Sequence, residues 1–177
     1  WMDMRNGESD IYFAYRPAGG PWGASEQVPG SGRFWDRSPD IAVDSHGNAY
    51  VVWDGLEREH ADDFLLFNQR TPMGTWGQVE ELESYVEFGL PTAIASDRAG
   101  NAMLLYWNYT LQSRYRPAGD AWESAQSLPN GNRTGSFDIA LDQDRNAYAV
   151  WTDYGSYPDY ERRILYSYRP ADMAWEP

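Results

Sequence analysis

The sequence predicts an all-β fold made of β-propeller-type, four-stranded blades, about three and a half of them, and three observations carry that prediction. A turn phrase recurs as YRPAGGPW at 15–22, QRTPMGTW at 69–76, YRPAGDAW at 115–122 and YRPADMAW at 168–175, with Trp always six places after Arg. Successive arginines of this phrase (Arg16, Arg70, Arg116, Arg169) lie 54, 46 and 53 residues apart, and a period near that length marks a repeat architecture. A second phrase keeps step with the first: IAVDSHGNAYVVW at 41–53, IASDRAGNAMLLYW at 94–107 and IALDQDRNAYAVW at 139–151. Its short apolar or alternating runs have the period of strands and none of the period of helices.

The elements of one period follow in order. DIAVD and NAYVVW read as the first two strands, joined by an Asp-x-x-Gly-Asn turn in which Asp44 bonds turn amides and Gly47 supplies a positive φ. DFLLFNQR and RILYSYRP read as third strands that end at the Arg-Pro turn, where proline presets φ and glycine completes the reversal. A fourth strand, as in WGASEQV, is expected to start at the repeated Trp. That Trp can fill the wedge between blades, and the repeated Arg can lie across an aromatic face. Two departures stand out: Arg145 replaces the glycine of the first turn, so that turn must be strained or reshaped, and Trp107 falls one place late, which suggests a bulge. The chain divides into a half blade at 1–28, blades at 29–82 and 83–128, and a nearly complete blade at 129–177.

The phrase IAVDSHGNAYVVW resembles the first two strands of NHL-type and sialidase-like propeller blades, and the resemblance runs along nearly the whole chain. It implies an exported bacterial protein. The sialidase box Ser-x-Asp-x-Gly-x-x-Trp is not matched. Closed propellers use typically four to eight blades, so an arc of this size leaves two apolar faces to be covered. Either it is a piece of a longer propeller or copies assemble, and a homodimer joined through blade faces is expected.

Composition narrows the partners. The 177 residues carry 27 acidic and 14 basic side chains, a net charge of -13, with every basic residue an arginine. Such a surface repels phosphate backbones and anionic membranes, so neither nucleic acid nor membrane is an expected partner. The chain has no cysteine, hence no disulfide or thiolate metal site.

Function is expected where the repeat breaks down. The Asp-x-x-Gly-Asn and Arg-Pro turns are nearly copied, whereas GSGRFWDRSP, NYTLQS, NGNRTGSF and TDYGSYPDYERR, at the opposite strand ends, share no sequence. Seven of nine tryptophans occupy repeat positions; Trp35 and Trp107 do not. Trp35, in a blade-to-blade loop and flanked by Arg33, Asp36 and Arg37, offers a flat ring beside polar groups, which suits a sugar or a protein anchor. Tyr109, with Trp107, and the pair Tyr154 and Tyr157 add further aromatic clusters. A non-catalytic binding module for a glycan or a protein is therefore expected. The alternative is a fragment of a sialidase-like glycoside hydrolase whose catalytic residues lie outside this chain. No catalytic residue, metal ligand or cofactor is assigned. His46 sits in a turn and His60 in a charged loop, and no carboxylate spacing implies a glycosidase pair.

Overall fold

The structure, a computed structural model, describes residues 1–33, 35–57, 63–84, 91–131, 134–154 and 161–177. All regular structure among them is strand: β1 Met2–Asp3, β2 Asp10–Phe13, β3 Glu26–Gln27, β4 Pro29–Gly32, β5 Trp35–Val43, β6 Ala49–Leu56, β7 Asp63–Arg70, β8 Glu80–Ser84, β9 Ala93–Ser96, β10 Ala102–Asn108, β11 Thr110–Arg116, β12 Gln126–Ser127, β13 Thr134–Leu141, β14 Ala147–Tyr154 and β15 Arg162–Arg169. Fourteen of these strands form four antiparallel sheets, β1-β2-β3, β5-β6-β7-β8, β9-β10-β11-β12 and β13-β14-β15, each a simple meander. Fourth strands begin some four residues after the repeated Trp, later than the sequence suggests. What starts at the Trp is a single bond: the next residue donates its amide to the residue before the repeated Arg, as in Gly77 to Gln69, Glu123 to Tyr115 and Glu176 to Tyr168, each at 2.8 Å.

Consecutive sheets stack face to face one period apart. Thr92 donates its hydroxyl to the Ser38 carbonyl at 2.6 Å, and the Ile94 amide donates to Asp40 at 2.8 Å, so β9 lies beside β5 with equivalent residues level. The forward face of the second sheet (Tyr50, Val52, Leu65, Phe67) packs on the rear face of the third (Ile94, Leu104, Tyr106). Met103, Leu105 and Leu111 of the third sheet pack likewise on Ile139, Ala149 and Trp151 of the fourth. Ile11 of the first sheet, with Val28 just after β3, covers Val51, Trp53 and Leu66 of the second.

The repeated Arg and Trp reach back to the preceding sheet. Arg70 lies over the Phe13 ring and Arg116 over Phe67, with guanidinium-to-centroid distances of 5.0 and 5.2 Å. Trp76 meets Phe13 edge-on at 5.4 Å, and Trp122 meets Phe67 the same way at 5.2 Å. In the last copy Ser113 stands where an aromatic would, three places before Arg116; Trp175 donates its indole N–H to that hydroxyl at 2.8 Å and Arg169 shifts onto Tyr115. Burial of these rings and the quadrupole attraction act together across every sheet pair.

The first turn is the same object three times. Asp44, Asp97 and Asp142 each accept the amides two and four residues on and the side-chain amide of Asn48, Asn101 or Asn146. The turn at Arg145 keeps this shape, with Arg145 itself at φ +69° where Gly47 and Gly100 have +85° and +93°. Asp172, at φ +60°, replaces the glycine of the neighbouring Arg-Pro turn, and the two exceptions face each other in a bidentate ion pair of 3.0 and 2.9 Å. No bulge accompanies Trp107: β10 pairs with β11 in unbroken register from Ala102 to Asn108. Tyr106 takes the repeat slot on the rear face and Trp107 turns forward into the core.

These turns predict a contrast. A methyl at Gly100 would meet Asp44 Oδ2 at 2.9 Å and the Tyr50 hydroxyl at 3.0 Å, on top of the φ penalty. Gly100→Ala should therefore cost about 1–3 kcal/mol. Arg145→Gly relieves φ but loses its interaction with the Tyr115 side chain and an exposed ion pair with Asp172, effects of opposite sign, so it should shift the unfolding midpoint much less than Gly100→Ala does. Urea unfolding of both variants measures the difference.

Candidate functional site

Trp35 stands on a strand, where the sequence suggests a loop. β5 runs as far back as Trp35, which pairs with Leu56, followed by Asp36 with Gly55 and Arg37 with Asp54. A bulge between Arg37 and Asp40, with Ser38 at φ +48°, then re-aims the strand before the repeat phrase begins. Because side chains alternate along a strand, Trp35 and Arg37 point to one face and Asp36 to the other. Trp35 is 37% exposed, whereas Asp36 is 0% exposed.

The exposed side of this segment faces the turn that joins β1 to β2. Together they form an open cleft of about 500 Å³ lined by Met2, Met4, Gly7, Ser9, Trp35, Arg37 and Ser38. The Asp36 amide donates to the Ser9 carbonyl at 3.0 Å, which ties the two walls together. On the buried side, Asp36 accepts from the Gly32 amide at 2.6 Å and from the Trp53 indole at 2.9 Å. Gly32 sits at φ +90°, and a methyl there would run into Gln27 at 2.5 Å and Asp10 at 3.0 Å. The position therefore requires glycine, and the chain from β4 into β5 is fixed from below.

Asp36 shares its neighbourhood with the carboxylates of Asp10 and Asp54, both buried. Burial pushes the Asp36 carboxyl up to about 7 and the two neighbouring charges add to the rise, while the Gly32 and Trp53 donors offset it in part. Among the described residues no group of three or more acidic or histidine side chains is placed to hold a metal ion. His46 is exposed in its turn; His60 lies outside the described residues.

The structure gathers only part of the sequence-predicted site. Trp35 and Arg37 line the cleft, Asp36 supports it from beneath, and Arg33 is exposed just outside it. Trp107 is a core residue, buried with Met103, Leu105 and Leu111, and is corrected to a packing role. Tyr109, at φ +59°, is the single residue between β10 and β11, so NYTLQS is a tight hairpin and not a long loop. Its ring is exposed on a different sheet from the cleft. Tyr154 ends β14 with Arg162 over its ring at 5.2 Å; Tyr157 lies outside the described residues. Met2, Met4 and Ser9 were missed, because their segment precedes the first repeat phrase and carries no pattern of its own.

Asp36 makes a pH prediction. Its folded-state pKa is raised above the unfolded value of 3.8 to about 7, so the folded state holds the extra proton. Its contribution is fully present below pH 3.8, declines as pH rises towards 7, and is lost above it. Asp44 and Asp142 slope the opposite way, but only at lower pH. Burial alone would raise Asp44, yet the donors from Asn48, Tyr50 and His46 outweigh it; the Asn146 side chain leads in lowering Asp142. The melting temperature should fall between about pH 5 and 8, and Asp36→Asn should flatten that slope in thermal melts across the range.

No family model matches this chain. Two curated proteins are similar to part of it, both named galectin-1 and both from Coprinopsis cinerea, a fungus, one from strain Okayama-7. Each is 39% identical over 51 residues, which is 29% of this chain and 34% of the relative. The match thus spans about a third of the relatives' length.

Proposed function

We propose that this chain is a non-catalytic carbohydrate-recognition module whose sheets follow one another as propeller-type blades, and that a sugar lies in the cleft beside Trp35. The observation that carries the reading is the partly exposed Trp35 ring, which lines that cleft together with Arg37. An indole face packs against the apolar C–H face of a pyranose, and a guanidinium donates to ring hydroxyls. A volume of about 500 Å³ is within the range of small-ligand sites. The part-length likeness to proteins named galectin supports the same ligand class, and its 51 residues are about one period of the repeat. The blade reading is supported by first strands lying side by side and by contacts that recur one period on.

Catalysis by Asp36 is disfavoured on geometry. Its raised pKa would suit a general acid, but both oxygens are sealed under the cleft by Gly32 and Trp53, out of reach of a ligand.

Binding to a glycan array, followed by calorimetry on the best-bound sugar, tests the proposal. Trp35→Ala should weaken that binding by roughly thirtyfold or more, and Tyr109→Ala should leave it unchanged. Fluorogenic glycosides should remain uncleaved. An array signal that survives Trp35→Ala would remove the cleft from consideration.

A further inference from the structure

The two walls of the Trp35 cleft belong to different sheets, and each carries a buried carboxyl beside its lining residues. Ser9, on the first wall, is followed by Asp10 at the start of β2; Trp35 and Arg37, on the second, flank Asp36 in β5. Both acids are buried. They meet at Gly32, whose amide donates to Asp36 at 2.6 Å and where a methyl would lie 3.0 Å from Asp10 Oδ1. The walls are tied at the same point, by the Asp36 amide donating to the Ser9 carbonyl at 3.0 Å.

The fold does not require acids here. Asp10 lies six places before Arg16, Asp36 five places before Ile41, and Asp54 directly after Trp53; the matching positions where the fourth sheet follows the third are Thr110, Thr134 and Thr152. There Thr134 donates its hydroxyl to the Thr152 carbonyl at 3.0 Å, and the Trp151 indole N–H is buried without an acceptor among the described residues. A junction of the same kind thus forms from neutral side chains, and the acids are an addition to the stretch beneath the cleft.

The charges set against Asp36 are Asp10 from β2 and Asp54 from β6, which add to the rise that burial gives its pKa, to about 7. β4 brings the Gly32 amide, β6 the Trp53 indole and the turn before β2 the Ser9 carbonyl, all neutral. Arg37, next on the same strand, points the opposite way into the cleft, and Asp3 of β1 is engaged by Arg5.

We propose that Asp36 is a proton-controlled latch on this cleft, whose proton holds the two walls together and whose ionisation parts them, because the second wall then sets a charge against Asp10 on the first. The Gly32 and Trp53 donors bond an ionised carboxyl at least as well as a neutral one. Asp36 therefore stays with β4 and β6, and the give comes at the Ser9 tie. A rise in pH widens the cleft. The consequence for a sugar, tighter binding at acid than at alkaline pH, rests on the reading of the cleft as a carbohydrate site; the latch itself does not.

Site-resolved hydrogen exchange on the free 177-residue chain, at about pH 5.5 and about pH 8, tests this, each rate being divided by its intrinsic rate at that pH. Protection of the Asp36 amide should fall roughly tenfold between the two, the effect of about one pH unit beyond the pKa. The Gly32 amide and the Trp53 indole should lose far less. Asp36→Asn should abolish the fall. Asp10→Asn, which keeps an acceptor for Asn6, should shrink it, and this variant carries the test if Asp36→Asn does not fold. Equal protection at both pH values in the wild-type chain overturns the proposal, as does a fall that persists unchanged in Asp10→Asn. A loss of all three N–H groups together also overturns it, being local unfolding of the junction. Calorimetry with the best-bound sugar at the same two pH values separates the two readings. Walls that part in a chain that binds no sugar keep the latch and remove the recognition reading; sugar binding with unchanged protection keeps recognition and removes the latch.

Discussion

A β-sheet with two apolar faces cannot be stable alone, and everything in this protein follows from how the next sheet covers the one before it. Cover is supplied by apolar packing in the middle of each face and by one Arg and one Trp that reach back across the gap. The two side chains divide the task. Trp removes a large area from water, and Arg carries its charge out over the ring while its stem stays packed. Where the aromatic target is missing, at Ser113, the geometry survives by exchange of forces: Trp175 hydrogen-bonds the hydroxyl and Arg169 moves to Tyr115. The contact is thus a position in the repeat that several chemistries can fill. Stability in such a stack is close to a sum of nearest-neighbour terms.

The turns show the same tolerance by a different route. Three turns are built around one carboxylate that accepts both backbone and side-chain donors, which fixes the hairpin whatever occupies the two residues between. Glycine at the fourth position is the cheap solution to a positive φ. The last sheet abandons it twice, at Arg145 and Asp172, and the two residues form an ion pair across adjacent turns. One exception alone would be strain without return. Two exceptions facing each other bring strain with a partial offset, and both lie in the same sheet.

The sequence made the period, the strand assignments, the Asp turns and the Arg–aromatic stacking legible, because each is a residue type repeated at a fixed interval for a physical reason. What it concealed lies where a strand outruns its repeat phrase. GSGRFWDRSP has the Gly, Ser and Pro of a loop, yet β5 continues through the bulge at Ser38 and carries Trp35 as its first residue. NYTLQS looks polar and long, yet β10 and β11 pair to within one residue, with Tyr109 at positive φ. Trp107 was legible as displaced but not as buried: one step along a strand moves a side chain from one face to the other, and the other face of that sheet is also core. Only a residue pattern with a free face could have revealed it, and the inner sheets have none.

That same rule of alternation explains the cleft. Three consecutive residues of β5 give an aromatic ring outward, a carboxyl inward and a guanidinium outward, so two of the cleft-lining side chains and their support come from one short segment. The inward carboxyl is costly, since it is buried near Asp10 and Asp54, and burial first and those charges second raise its pKa to about 7. Its two oxygens nonetheless hold the Gly32 turn on one side and the Trp53 indole on the other, which joins the entering strand to the rear-face core of the second sheet. Trp35 is therefore not a ring on a wandering loop but one anchored through the adjacent residue to a fully buried tryptophan. A stacking ring needs a fixed plane more than it needs many contacts, because orientation lost on binding subtracts from affinity. The buried acid beneath an exposed aromatic is the feature that fixes this strand end as one wall of the cleft.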